Sequence, residues 1–177
     1  MFDDRFARRM ATRYRKKGLG ATAGRLVDLL AASDLRGATV LEIGGGVGEI
    51  GLELLRRGAA SATTLELSPG YEHAAAALAA EAGLTGRVHR RMVDIATDPG
   101  AVEPADIVVL HRVVCCYPDH ARLLGAAAEH TRRELAFSFP PRNPVSRTFL
   151  AAQNTLLRAS SRRVCSAAAP RSRAWSG

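Results

Sequence analysis

The feature that most constrains this chain is the run Val40-Leu41-Glu42-Ile43-Gly44-Gly45-Gly46-Val47-Gly48. Apolar residues lead straight into a glycine cluster, and helical spacing follows over Glu49–Arg57. Glycines at 44, 46 and 48 let the backbone turn sharply and approach a ligand with no Cβ in the way. A dinucleotide fingerprint reads G-x-G-x-x-G, and here its third glycine is replaced by Glu49. A pyrophosphate at that helix N-terminus would meet an acid, which disfavours a nicotinamide dehydrogenase.

Strands alternate with helices along the rest of the chain. Strands are predicted at Thr39–Ile43, Ala62–Leu67, Val88–Val93, Ile107–Leu110 and Leu135–Phe139. Helices are predicted at Glu49–Arg57, after Ser68-Pro69-Gly70 to about Ala82, at His120–Arg132 and at Val145–Leu157. This alternation implies parallel βαβ units: an α/β, Rossmann-like, doubly wound sheet of about five strands with helices on both faces. Right-handed crossovers bring the strand C-terminal ends to one rim, where ligands bind.

Three segments are expected. Residues 1–35 form an N-terminal helical segment, in which Phe2, Phe6, Met10 and Tyr14 are spaced by four and fall near one helical face. Thr22 is expected to cap a second helix running to Ser33. The segment is a candidate lid with Tyr14 nearest the ligand; simple docking on the outer helix layer is the alternative. Residues 36–158 form the binding domain. Residues 159–177 are Arg/Ser/Ala-rich without an apolar period and are expected to be a disordered basic tail.

Net charge is +8, but it is not spread evenly. Residues 1–17 carry seven basic and two acidic side chains, and 158–177 carry five arginines and no acid, whereas 18–157 hold 13 basic and 15 acidic residues. The basic ends read as solvated, so nucleic acid is not the expected partner. No apolar run reaches the ~20 residues of a membrane span. Acids at Asp3 and Asp4 replace a signal-peptide pattern, so no membrane association and a cytoplasmic location are expected. Cys115, Cys116 and Cys165 suggest neither a disulfide framework nor a zinc site, and no metal is expected.

The rim positions carry the candidate chemistry. Glu66, with Leu67 beside it, lies 20 residues after Gly46, where a carboxylate can accept both hydroxyls of an adenosine ribose. In Val93-Asp94-Ile95, Asp94 can accept from an adenine amine while Ile95 packs on the ring. S-adenosylmethionine (SAM) has no phosphate and carries a sulfonium and an ammonium, so Glu42 and Glu49 are compatible neighbours. In the segment Leu110 to Asp119, His111 is either a base for a substrate hydroxyl or a pocket side chain at the sulfonium end. Tyr117 is a second pocket candidate. Cysteines after this strand suggest a cytosine-C5 nucleophile, but Val114 stands where proline would precede Cys115; small apolar packing is the favoured role.

Together these positions resemble the class I SAM-dependent methyltransferases over residues 36–140. The resemblance implies that Glu42, Gly44, Gly46 and Gly48 surround the methionyl part of SAM, that Glu66 holds the ribose and that Asp94 faces adenine. Ser138-Phe139-Pro140-Pro141-Arg142-Asn143-Pro144 locally resembles the magnesium-protoporphyrin O-methyltransferases and related small-molecule enzymes. The adenine-N6 signature is replaced by His111-Arg112-Val113-Val114. Relatives end in an antiparallel strand pair, and the residues after Leu157 do not alternate, so that pair is expected to be missing. Leu135–Phe139 would then be an edge, open to homodimerisation.

The expected activity is methyl transfer from SAM to a small-molecule acceptor, O-directed, with catalysis largely by proximity. The rival readings are a non-catalytic SAM-binding remnant and an RNA or protein methyltransferase that uses the basic N-terminal helix.

Overall fold

A computed structural model describes residues 3–139. Two helices come first, α1 (Asp4–Lys17) and α2 (Ala21–Leu30). There follow β1 (Thr39–Ile43), α3 (Glu49–Arg56), β2 (Ser61–Leu65), α4 (Glu72–Glu81), β3 (Val88–Arg91), β4 (Ala105–Leu110), α5 (His120–Glu129) and β5 (Thr131–Phe137). The strands form one sheet of order β3-β2-β1-β4-β5, parallel throughout.

Side chains alternate across this sheet, and the core divides with them. Val40, Ala62, Ile107 and Val109 face a layer built from α1, α2, α3 and α4. Leu41, Ile43, Leu65, Val108 and Leu110 face α5 and the Ile95–Val102 connection. The chain crosses from one face to the other between β3 and β4. The switch point therefore lies between β1 and β4, where open α/β sheets bind ligands. This is the doubly wound architecture the sequence implies.

Several boundaries differ from expectation. The chain enters β5 at Thr131, whereas the sequence extends the helix to Arg132. The buried His130 ring bonds the carbonyl oxygens of Ala126 (2.8 Å) and Pro99 (3.0 Å), while its own carbonyl accepts the Ala105 N–H at 2.9 Å. Those contacts hand the backbone to the sheet one residue after α5. Thr22 is not a cap: α2 starts at Ala21 behind an extended Gly20, with no side-chain cap. On α1 the Asp3 carboxylate caps the helix by accepting the Phe6 N–H at 2.8 Å. Its inward stripe is Ala7, Ala11 and Tyr14, with Phe6 39% exposed. Small alanines let α1 lie close to its neighbours, which an aromatic stripe would hold off. Phe2, the helix Val145–Leu157, the tail 159–177 and the expected absence of a final strand pair lie outside the described residues. On the edge strand side, Phe137 and Phe139 are 46% and 54% exposed.

Candidate functional site

The loops after β1, β2, β3 and β4 converge on one rim. Gly44, Gly46 and Gly48 take left-handed φ values of 65°, 56° and 80°, so the turn demands glycine there. Gly45, which the spacing argument passed over, lies directly against the sheet. A Cβ on it would lie 2.6 Å from Thr64 Cγ2 and 2.7 Å from Glu42 Cδ. A Cβ on Gly44 would collide with Val113, so the loop after β4 rests directly on the glycine turn.

Glu66 follows β2 immediately and braces the turn. Its Oε2 accepts the Gly46 N–H at 2.9 Å and its Oε1 the Ser68 N–H at 2.8 Å. Leu67 beside it is 49% exposed. Glu42 lies beneath the turn, 2% exposed, and accepts the Gly51 N–H at 3.1 Å. Burial, aided by the nearby Glu49, pushes its carboxyl up to about 8 against the pull of the Gly51 N–H and Arg90. Burial also raises Glu49, opposed by Arg13 and Arg112.

Asp94 joins two loops: its Oδ2 accepts the Tyr117 hydroxyl at 2.8 Å and its Oδ1 the Ala96 N–H at 3.1 Å. Burial and that hydrogen bond push the Tyr117 phenol up to about 12. Ile95 is 1% exposed and packs into the α5-side core, so its side chain is covered by protein.

His111 Nδ1 lies 2.8 Å from Ser138 Oγ, which also accepts the Arg112 N–H at 3.1 Å. Burial first, and Arg112 second, hold the imidazole below its ordinary value. If Nδ1–H donates to Ser138, the neutral ring presents its Nε2 lone pair. Ser138 ends the β5 ladder; the sequence named it only as the first residue of the Ser138–Pro144 resemblance and gave it no role beside His111.

Tyr14 is placed differently from the lid expectation. Its hydroxyl donates to Glu53 Oε1 at 2.5 Å and accepts from Arg56 at 2.7 Å, at the seam of α1 with α3. Phe6 is the α1 ring that reaches the rim, edge-on to Tyr71 at 6.4 Å between centroids. Tyr71 in turn lies against Gly46: a Cβ there would be 3.4 Å from its ring. Cys115 and Cys116 do not pack as small core residues; Cys165 lies outside the described residues. Cys116 is exposed, and the two Sγ atoms lie 3.5 Å apart. The hydrogen bond from Cys116, with Arg112 nearby, brings the Cys115 thiol down to about 6. Among the described residues no cluster of three or more His, Cys, Asp or Glu side chains is arranged to hold a metal. Among those residues, too, no helix is long and apolar enough to cross a membrane.

A methyltransferase domain family matches residues 6–163. The chain belongs to this family. Among solved structures, this methyltransferase domain is similar to magnesium protoporphyrin IX methyltransferase from Synechocystis PCC 6803 with bound SAH, at 25% identity and TM-score 0.63. That match covers 76% of this chain and 61% of that one, so the chain spans about three-fifths of that relative. The mitomycin 7-O-methyltransferase MmcR matches at 21% identity and TM-score 0.56, over 85% of this chain and 47% of that one, a likeness of fold. The [4+2]-cyclase SpnF matches at 26% identity and TM-score 0.53, over 60% of this chain and 40% of that one. One fold thus carries different reactions, and the chemistry has to be argued from the rim. No curated protein matches the chain in sequence.

Proposed function

We propose that this methyltransferase domain binds SAM across the β1–β4 switch point and transfers its methyl group to a small-molecule acceptor, at oxygen. The observation that carries the reading is the Glu66 carboxylate, fixed by two backbone N–H groups at the rim and half-buried.

The residues fit the cofactor chemically. A carboxylate offers about four acceptor positions, and the described bonds to Glu66 use two, leaving one on each oxygen for a ribose diol. Asp94 likewise keeps capacity for an adenine amine beside its bonds to Tyr117 and Ala96. The glycine turn presents backbone without side chains. SAM would supply, when bound, a sulfonium methyl carbon to which an acceptor oxygen bonds as the carbon–sulfur bond breaks and the neutral thioether S-adenosylhomocysteine leaves. In this reading Gly44, Gly46 and Gly48 shape the methionyl end, and Leu67 offers apolar surface beside the nucleoside. Ile95 supports the adenine pocket from within the core. His111, oriented by Ser138, takes the acceptor's hydroxyl proton at Nε2.

Support for a small-molecule acceptor comes from the relatives, whose names include a magnesium protoporphyrin IX methyltransferase and a mitomycin 7-O-methyltransferase. The segment division 1–35, 36–158 and 159–177 belongs to the same proposal, with α1 reaching the rim through Phe6 and Tyr71. Mass spectrometry of the natively purified protein tests the reading: co-purified SAM or S-adenosylhomocysteine (SAH) supports it. Neither compound at stoichiometric levels, together with no retention of added SAM, contradicts it.

A further inference from the structure

The strand β3 is unusual for its place: it reads Val88-His89-Arg90-Arg91, and one of its arginines points inward. The Arg90 side chain is only 10% exposed. Strand register explains where it goes. Glu42 on β1 pairs with Thr64 on β2, and Thr64 pairs with Arg90 on β3. Paired residues of parallel strands share a face, so these three side chains form a polar row across three strands. The glycine turn lies on that row. A Cβ on Gly45 would strike Glu42 and Thr64; one on Gly48 would sit 3.5 Å from Arg90 Nη1 and 3.7 Å from Thr64 Oγ1.

We infer that Arg90 is a positioning residue that clamps the glycine turn from below. Its Nε donates to Glu72 Oε1 at 3.1 Å and Oε2 at 3.2 Å, and its Nη2 to Glu72 Oε1 at 2.9 Å. That fork, from α4, fixes the guanidinium plane. The same Nη2 donates to the Gly46 carbonyl at 2.9 Å. Gly46 is therefore held at both of its peptide groups: its N–H by Glu66 and its C=O by Arg90. Released from Arg90, this turn would be free to rotate at three glycines and carry the Gly46 N–H off Glu66. Nη1 is buried without a hydrogen-bond partner among the described residues. Arg90 acts on the ligand through the turn and does not itself contact it.

This inference rests on the SAM reading, and its test separates the two. SAH is titrated calorimetrically into the full chain and into Arg90→Met, Arg90→Lys and Glu72→Gln, with amide hydrogen exchange at Gly46 followed by NMR. The expected result is about tenfold or weaker SAH binding in Arg90→Met, the scale of one charge-assisted hydrogen bond. Partial recovery is expected in Arg90→Lys and a smaller loss in Glu72→Gln. Gly46 exchange should quicken while the β1 amides keep their protection, which general destabilisation would not produce. SAH affinity within twofold of the parent and unchanged Gly46 exchange in Arg90→Met would overturn the clamp. If Arg90→Met does not fold, the same two results in Glu72→Gln would overturn it. A parent chain that binds no SAH removes the SAM reading, and Gly46 exchange in the variants then decides the clamp alone.

Discussion

Glu42 shows how a single buried carboxyl sets a testable pH response. Its folded value of about 8 lies above the ordinary 4.5, so the folded state holds a proton that the unfolded state has released. Its contribution to stability is therefore full below about 4.5, falls as pH rises and levels off above about 8. Melting temperature measured from pH 5 to 9 should decline in the parent chain and decline less in Glu42→Gln, which keeps an acceptor for the Gly51 N–H. Parallel curves would contradict the assignment. His111 gives a second pH signature. Because its value is lowered, a base role predicts that kcat/KM falls only below about pH 6.5, and that this limb disappears in His111→Ala. A limb that persists in the variant would remove His111 as the base.

At the scale of elements, the helices and strands were legible wherever one period dominated. β1 was read with its true bounds because a buried parallel strand next to glycines has no competing pattern. The start of β5 was not legible: Thr131–Glu134 reads equally well as the end of a helix, and the deciding contacts come from Pro99 and Ala105, far back along the chain. The α1 stripe was read in part: Tyr14 is buried and Met10 packs against the core, but Ala7 and Ala11 take the innermost positions and Phe6 does not, because aromatics outweigh alanines in a hydrophobic pattern while close packing favours alanine. Tyr14, on the inward face as expected, meets Glu53 and Arg56 of α3. Tyr14→Phe should accordingly cost about 1–2 kcal/mol of stability in chemical denaturation. Its SAH affinity should be unchanged, and a loss of affinity without a loss of stability would restore Tyr14 to the ligand.

At the scale of the whole molecule, the sequence located the rim because its motifs sit at strand ends, and strand ends meet at a switch point. That logic placed Glu66, Asp94 and His111 after β2, β3 and β4, which is where the structure has them. The places of Thr64 and Arg90, and the contact of Ser138 with His111, were not legible, since each depends on cross-strand register or a neighbouring strand end, which appears only when the sheet is assembled. The central claim is that this rim is a SAM site organised on Glu66. The most direct test is calorimetric titration of SAH into the parent chain and Glu66→Ala. The parent should bind SAH saturably, one to one. The variant should lose about 1.5–3 kcal/mol, the scale of hydrogen bonds to a charged acceptor. Equal affinity in the two proteins, or no binding by a folded parent chain, would contradict the claim.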